Sequence, residues 1–166
     1  WHLGDHDLWC KHTNFEQAVR SPLLISAPGI KPGRTESMTE FVDIFPTLCE
    51  LSGLEIPEIL DGKSLAVIMK NPRSSVRGFA VSQYPRGERM GYSIRTPRYR
   101  LTWWMESGFR SGMPFRNDLV YEKELYDYKN DPNETINLVN SKRYRSITLK
   151  MNEMMTDFFN HRAAAN

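Results

Sequence analysis

The chain has 166 residues, of which 40% are hydrophobic and 25% are charged, and these proportions are typical of a globular protein with one core. Its formal net charge of +2 is small and its basic residues are interleaved with acids, so the composition gives no support to nucleic-acid binding. No apolar run approaches the ~20 residues that a membrane-spanning helix needs, and two cysteines are too few for a disulfide framework.

The first sixteen residues hold three of the chain's four histidines and one of its two cysteines. Three of these side chains follow one another at i, i+4 and i+8: His2, His6 and Cys10. On a helix this spacing would align them and could bind zinc, although Gly4 disfavours a helix there. A packed loop whose histidines bond to backbone groups explains the same residues, so both interpretations stay open at this point.

Apolar runs and chain-breaking residues predict the next elements. Residues 21–29 form a short apolar run ended by Pro-Gly, which predicts a buried strand of a parallel sheet. Residues 37–51 carry apolar side chains close to helical spacing and predict a helix that Gly53 ends. Pro46 lies inside it and predicts a kink, or a restart of the helix near residue 43. A short helix capped by its first serine is predicted over residues 64–70.

The periodicity changes after Pro72, which predicts a domain boundary there. Short runs rich in β-formers predict a small antiparallel sheet, with strands over residues 79–84, 91–95, 99–105 and 124–128. Residues 106–120 predict a surface loop. Residues 144–161 carry an apolar stripe and predict an amphipathic helix on the sheet, with its methionines in the core. The predicted domains are therefore 1–72, the end of an α/β domain, and 73–166, a sheet subdomain with a packed helix.

Motifs in a fixed order carry a resemblance to a known family. They are residues 4–16 with the central string Gly-Asp-His-Asp-Leu-Trp-Cys-Lys-His-Thr, 43–48 (Asp-Ile-Phe-Pro-Thr-Leu), 61–65 (Asp-Gly-Lys-Ser-Leu), 82–86 (Ser-Gln-Tyr-Pro-Arg), 90–96 (Met-Gly-Tyr-Ser-Ile-Arg-Thr), 124–127 (Glu-Leu-Tyr-Asp) and 131–138 (Asp-Pro-Asn-Glu-Thr-Ile-Asn-Leu). In this order they resemble the sulfatase family, and the fourth and fifth look most like its iduronate-2-sulfatase branch. The resemblance covers nearly the whole chain.

The resemblance implies a fold and a chemistry. The fold is α/β, becoming α+β in its C-terminal part: the C-terminal fragment of an alkaline-phosphatase-like sulfatase, with the end of the large domain followed by a small antiparallel sheet and a terminal helix. The chemistry is hydrolysis of sulfate esters, here 2-O-sulfate on uronic acids of glycosaminoglycans. In this family a formylglycine hydrate attacks sulfur and calcium neutralises the sulfate oxygens. Lys11 takes the place of the lysine that contacts the sulfate, where a fixed ammonium stabilises charge in the transition state.

Six further residues are implied to line the substrate pocket: Trp1, His2, His6, His12, Arg86 and Arg95. The first three directly follow the position of the family's metal motif, and His12 adjoins Lys11. The two arginines suit a uronate carboxylate, because a guanidinium fork binds that group with two hydrogen bonds. A surface ion pair is the more common role for an arginine.

The departures from the family pattern are as informative as the matches. Neither Cys10 nor Cys49 begins the maturation motif Cys-x-(Pro/Ala)-x-Arg, and the paired metal aspartates are absent. We therefore expect a fragment, a processed light chain or a truncated form, with formylglycine and the calcium ligands upstream of Trp1. Alone it should not turn over sulfate esters. Its expected partners are a sulfated carbohydrate and the missing N-terminal portion, in a lysosome or a bacterial periplasmic or secretory space. The alternatives are a non-catalytic sulfated-carbohydrate-binding module and a small zinc protein.

Overall fold

A computed structural model describes residues 1–106 and 116–165 of this protein, with side chains as far as residue 161. The strands are β1 (His2–Leu3), β2 (Trp9–Cys10), β3 (Ala80–Arg86), β4 (Arg89–Arg95), β5 (Tyr99–Glu106) and β6 (Val120–Asp127). The helices are α1 (Glu16–Val19), α2 (Ile44–Leu51), α3 (Ala66–Lys70) and α4 (Arg145–Ala165). Short 3₁₀ turns span Asp5–Asp7, Phe41–Asp43, Asn117–Leu119 and Lys142–Tyr144.

The chain forms two compact units. The first, here called the sheet unit, joins Trp1–Ser21 to Val81–Asn166, and the second, the helical unit, is Pro22–Ala80. The domain boundary predicted at residue 72 concerns the domains of a larger protein and stays a prediction. Most of the loop predicted over 106–120 lies outside the described residues.

The predicted sheet is present, with strand order β3-β4-β5-β6. The β4–β5 and β5–β6 pairs are antiparallel, as predicted. On β5, Leu101 and Trp103 are buried on one face of the sheet, as alternation along a strand requires. Arg100 and Thr102 alternate with them and are also buried, on the opposite face. Both faces of this sheet are therefore covered, one by apolar and one by polar contacts.

Helix α4 covers the apolar face, which confirms the predicted amphipathic helix. Met151 and Met155 are buried, as expected for core methionines. The Trp103 indole donates a hydrogen bond to the Asn152 amide oxygen, at 2.8 Å from Nε1 to Oδ1. The ring of Phe159 meets that of Tyr92 edge-on, 4.9 Å between centroids. The helix is therefore held on the sheet by methionine and aromatic packing together with the part-buried Asn152 amide.

In the helical unit, side chains of one motif bind the backbone of another. Asp43 is fully buried, and its carboxylate accepts the backbone N–H of Lys63 at 2.8 Å. The Thr47 hydroxyl accepts the backbone N–H of Leu65 at 2.8 Å. A Cβ on Gly62 would stand 1.9 Å from the Val42 carbonyl oxygen, so only glycine fits this crossing. The two motifs at 43–48 and 61–65 are therefore one interlocked structural feature.

Helix α2 begins at Ile44, so the predicted restart near residue 43 is confirmed. Pro46 lies in the first turn, where a missing N–H leaves no intrahelical bond unmade. At the other end Gly53 has a φ of +69° and donates to the Glu50 carbonyl at 3.1 Å. The Leu54 N–H donates to the Cys49 carbonyl at 2.9 Å, which completes a glycine C-terminal cap.

The strand predicted over residues 21–29 is wrong for this chain. These residues have no regular secondary structure, and 90% of the Leu24 surface is exposed. A strand forms only where a neighbour takes up its backbone hydrogen bonds, and no strand pairs with this segment in the described part of the chain. An apolar run indicates burial, but it does not supply the partner that burial needs.

At the end of β6, Asp127 gathers groups from three parts of the sheet unit. Its carboxylate takes two hydrogen bonds from the Arg98 guanidinium, both at 2.8 Å. The Asn130 amide donates at 2.7 Å and the Tyr144 hydroxyl at 3.0 Å. The hydrogen bonds from Arg98, the Lys129 backbone N–H and the Tyr144 hydroxyl hold the pKa of Asp127 well below its ordinary range, although burial acts in the opposite direction.

We expect Asp127→Asn to destabilise the chain by about 1–3 kcal/mol at pH 7, because the charged acceptor is lost while the donors stay. Since folding lowers the pKa of Asp127, its contribution is present above the unfolded pKa of about 4 and declines as the pH falls below it. Urea denaturation at pH 7 and at pH 3 measures both effects. The exposed Asp157→Asn is the matched control. This account would be contradicted if the difference in the free energy of unfolding between Asp127→Asn and the parent chain were the same at pH 7 and at pH 3.

Candidate functional site

The residues that the sequence singled out begin in a short hairpin. Strands β1 and β2 are antiparallel, with His2 opposite Cys10. The connecting turn includes His6 at a φ of 55°, which no helix allows. The helical alignment of two histidines and Cys10 is therefore wrong, and Cys10 is exposed whereas His2 is buried. No group of three or more His, Cys, Asp or Glu side chains in the described residues is arranged to hold a metal ion.

His2 is a buried hydrogen-bonding centre of this hairpin. Its Nδ1 bonds the Asp5 carboxylate and its Nε2 lies 2.7 Å from the Thr13 hydroxyl. The Leu3 backbone N–H, together with His2, holds the pKa of Asp5 below its ordinary value. Both ring nitrogens of His2 are therefore occupied within the chain, and the predicted contact of His2 with a substrate stays a prediction.

His6 is fixed by stacking. Its ring lies parallel to that of Phe15, with 4.0 Å between centroids and 1° between planes. The Nε2 atom is buried without a hydrogen-bond partner in the described part of the chain. Phe15 in turn meets the Tyr126 ring edge-on at 6.0 Å, so this stack joins the hairpin turn to the sheet.

Lys11 and His12 follow β2 and are exposed. The Lys11 ammonium lies 5.7 Å from the centroid of the Trp1 ring, within the range of a cation–π contact. Trp1 itself is 69% exposed. The His12 ring stacks on Tyr84 of β3, 5.5 Å between centroids and 8° between planes. A cation, an indole and an imidazole are thus brought together at the surface of the sheet unit.

Asn14 fixes this segment to the sheet. Its amide is buried and donates to the Gly91 carbonyl at 3.1 Å, while its oxygen accepts from the Ser82 hydroxyl at 3.0 Å. A Cβ on Gly91 would stand 2.7 Å from the Asn14 amide nitrogen, so this close approach requires glycine. The motifs that contain Asn14, Ser82 and Gly91 therefore meet at one point, three residues beyond Lys11.

Two residues further, Glu16 carries the main electrostatic contact of the segment. Its Oε2 accepts from Arg95 at 3.0 Å and from Arg100 at 2.8 Å. Burial raises the pKa of Glu16, but the hydrogen bonds and charges of these two arginines outweigh it and bring the pKa below its ordinary value. The Arg95 guanidinium is also stacked over the Tyr128 ring at 3.6 Å. Arg95 thus has a carboxylate partner in the chain, the common alternative to the predicted uronate contact.

Glu134 belongs to the same network and contacts both Arg100 and the backbone of Glu16. Its carboxylate is fully buried and lies 2.7 Å from Arg100 Nε, while the Tyr128 hydroxyl donates to it at 2.5 Å. The other carboxylate oxygen accepts the backbone N–H of Glu16 at 2.7 Å. Burial raises the pKa of the Tyr128 hydroxyl, which keeps it a donor. Two carboxylates and two guanidinium groups therefore neutralise each other beneath the N-terminal segment.

Arg86 stands at the end of β3 and is exposed. Its charge acts on Glu124, a half-buried carboxylate of β6. Burial raises the pKa of Glu124, and the Trp104 indole donates to it at 2.9 Å. The structure gives Arg86 no short ion pair among the described residues, in contrast to Arg95.

The candidate residues divide into exposed side chains and side chains that hold the segment in place. Exposed Lys11, His12 and Arg86 supply cations and hydrogen-bond donors suited to an anionic ligand. Sequence reasoning missed the side chains of Asn14, Glu16 and Arg100, which hold the segment that carries Lys11 and His12 on the sheet. For Arg100 the available signal was the alternation of Arg100 and Thr102 with apolar residues on β5, which indicates a second covered face. Asn14 and Glu16 lie outside the strands, and alternation gave no signal for them.

Comparisons with known proteins agree with the motif order. The family model described as N-sulphoglucosamine sulphohydrolase, C-terminal, matches residues 4–161. The mouse iduronate 2-sulfatase is 28% identical over 210 aligned positions, which cover 87% of this chain and 37% of that protein. A delta 4,5-hexuronate-2-O-sulfatase of Bacteroides thetaiotaomicron is 27% identical, over 94% of this chain and 32% of that protein. The chain spans about a third of the length of these curated relatives.

A solved structure described as a 2-O GAG sulfatase superimposes with a TM-score of 0.56 at 28% identity, over 72% of this chain and 24% of that chain. The phosphonate monoester hydrolase of Agrobacterium radiobacter shares the fold, with a TM-score of 0.60 at 21% identity. The predicted fold class is confirmed by these superpositions.

We expect Arg100→Met to destabilise the chain by about 3–5 kcal/mol, because it leaves Glu16 and Glu134 buried with too little positive charge. The matched control is Arg116→Met, which removes an exposed ion pair with Asp118 and should cost less than about 1 kcal/mol. Chemical denaturation followed by circular dichroism measures both. Equal effects of the two substitutions would show that the buried network does not hold the segment in place.

Proposed function

Since the chain belongs to the sulfatase family, by its match to the C-terminal model over residues 4–161, we propose that it is part of an enzyme that hydrolyses sulfate esters. The substrate class we propose is 2-O-sulfate on uronic acid residues of glycosaminoglycans. The names of two relatives, an iduronate 2-sulfatase and a delta 4,5-hexuronate-2-O-sulfatase, support this choice. The observation that carries the proposal is the exposed Lys11, held on a segment that is anchored to the sheet at Asn14 and Glu16.

Lys11 is the catalytic residue that this chain contributes. A sulfate ester carries negative charge on its non-bridging oxygens, and that charge redistributes as the sulfur–oxygen bond breaks. An ammonium held in a fixed position stabilises it without reorganising. The Asn14 and Glu16 contacts restrict the backbone that carries Lys11, and the Trp1 ring lies beside its ammonium. The chain's role in the chemistry is therefore to hold a cation against the sulfate.

The other predicted pocket residues divide into two groups. We propose that Trp1, His12 and Arg86, which are exposed, contact the sugar or its carboxylate. His2, His6 and Arg95 have partners inside the sheet unit: a carboxylate and a hydroxyl, a phenyl ring, and Glu16. We propose that these three position the exposed group, and that substrate contact by them would need these partners to be exchanged.

We assign the remaining chemistry to the part of the protein upstream of Trp1. Calcium and formylglycine supply the Lewis acid and the nucleophile in the enzymes that this chain resembles. No group of three or more His, Cys, Asp or Glu side chains in the described residues is arranged to hold a metal ion, and we propose that the calcium ligands lie upstream of Trp1. We infer that the N-terminal portion is a required partner and that the whole protein acts in a lysosome or a bacterial periplasmic or secretory space. None of the helices in the described residues is long and apolar enough to cross a membrane.

Two alternatives make different predictions. A sulfated-carbohydrate-binding module would use the same exposed cations without any upstream partner. A zinc protein would need His2, His6 and Cys10 on one site, but both ring nitrogens of the buried His2 are bonded, to Asp5 and Thr13. His6 is stacked on Phe15, and Cys10 is exposed. The hairpin geometry therefore favours the enzyme and the binding module over zinc.

We expect the purified 166-residue chain to hydrolyse neither an aryl sulfate nor a 2-O-sulfated uronate disaccharide, because it has no maturation motif for the nucleophile. Calorimetric titration with the same disaccharide separates the alternatives. Binding with a micromolar Kd by the isolated chain would favour the module, and measurable turnover would overturn the division of labour proposed above.

In the full-length protein we expect Lys11→Met to lower kcat/KM for the sulfated disaccharide about 100-fold or more, since it removes charge stabilisation in the transition state. Lys150→Met, an exposed lysine on α4, is the matched control and should leave kcat/KM unchanged. Steady-state kinetics with a thermal melt of each variant gives the measurement. Full activity of a folded Lys11→Met protein would remove Lys11 from the mechanism.

A further inference from the structure

An apolar stripe in the helical unit has no cover among the described residues. It consists of Phe41 in the 3₁₀ turn before α2 and of Phe45 and Leu48 on α2, at helical spacing i, i+4 and i+7. Their side chains are 69%, 55% and 53% exposed. Side chains at this spacing lie on one face of a helix, so they form one continuous surface, which we call the α2 stripe.

The three residues of the α2 stripe do not belong to the core of the helical unit. The opposite side of the same helix is already packed, since Pro46, Thr47 and Cys49 are buried. Thr47 is bonded to Leu65 and Asp43 is bonded to Lys63, so the helix is fixed by its other face. Only Glu50 carries a charge within α2, and none of the three stripe residues is polar. A rigid, uncharged surface of two phenylalanines and a leucine suits an apolar protein surface and not an anionic sugar.

We propose that the α2 stripe is the contact surface for the rest of this polypeptide, the part of the sulfatase that lies outside these 166 residues. This inference rests on the proposed function, which requires such a part. The curated relatives are about three times as long as this chain, so most of their length is available to cover the stripe. An apolar sheet or helix face of that remaining part is the chemistry that the stripe fits.

The test compares Phe45→Glu in two contexts. In the 166-residue chain the substitution places a charge on an exposed position, so its circular dichroism spectrum and Tm should stay unchanged. In the full-length protein the same charge would be buried, and we expect the Tm to fall by about 5 °C or more, with a lower yield of folded protein. Leu149→Glu is the matched control, because Leu149 is a 56% exposed leucine on α4. It should have no effect in either context.

A full-length Phe45→Glu protein that melts like its parent would overturn the proposal. The proposal would also be overturned if a second copy of the chain covers the stripe. In that case the 166-residue chain would sediment as a dimer that Phe45→Glu dissociates. The full-length protein would then be a monomer whose Tm Phe45→Glu does not change. The Tm measurement does not depend on turnover. A full-length protein without sulfatase activity would therefore contradict the proposed function and still report on the α2 stripe.

Discussion

The sheet unit depends on a network of charged side chains that is buried between the sheet and the N-terminal segment, residues 1–21. Arg100 is 1% exposed and contacts Glu16 from the N-terminal segment and Glu134 from the loop after β6. A guanidinium at this depth is stable only when carboxylates and hydrogen bonds replace its water. The network supplies both, and it does so with groups that are 84 residues apart in sequence for Arg100 and Glu16. The stability of the sheet and the placement of the N-terminal segment are therefore coupled through this network.

This constraint explains how an exposed lysine can occupy a defined position. Lys11 makes no short ion pair among the described residues, and long exposed side chains are normally mobile. Its backbone, however, follows Cys10, which pairs with His2 in the hairpin, and precedes Thr13, Asn14 and Glu16, which bond the rest of the sheet unit. Rigid support from below with a free charge above is the arrangement that electrostatic catalysis needs.

The hydrophobic periodicity of the sequence correctly predicted the elements that bury one face of their own. It failed for residues 21–29, where a strand requires a neighbouring strand to pair with. The sheet and α4 follow from alternation and from a methionine stripe, because each element carries its own apolar face. The strand at residues 21–29 could not be judged in this way, since its backbone hydrogen bonds depend on a neighbour. The zinc alignment failed for a related reason: spacing is meaningful only on the assumed backbone, and Gly4 with His6 at positive φ makes a hairpin turn instead of a helix.

The family motifs turn out to serve two different purposes. Glu134 in the 131–138 motif and Asp43 in the helical unit are buried and bond other parts of the chain, and Gly62 allows a close approach of the backbone to Val42. These contacts fix the backbone of this chain and do not depend on what the protein binds. Lys11 is exposed and is used by no contact of this kind. The buried motif members therefore support the fold, and we propose that the chemistry depends on the exposed Lys11 that they hold in place.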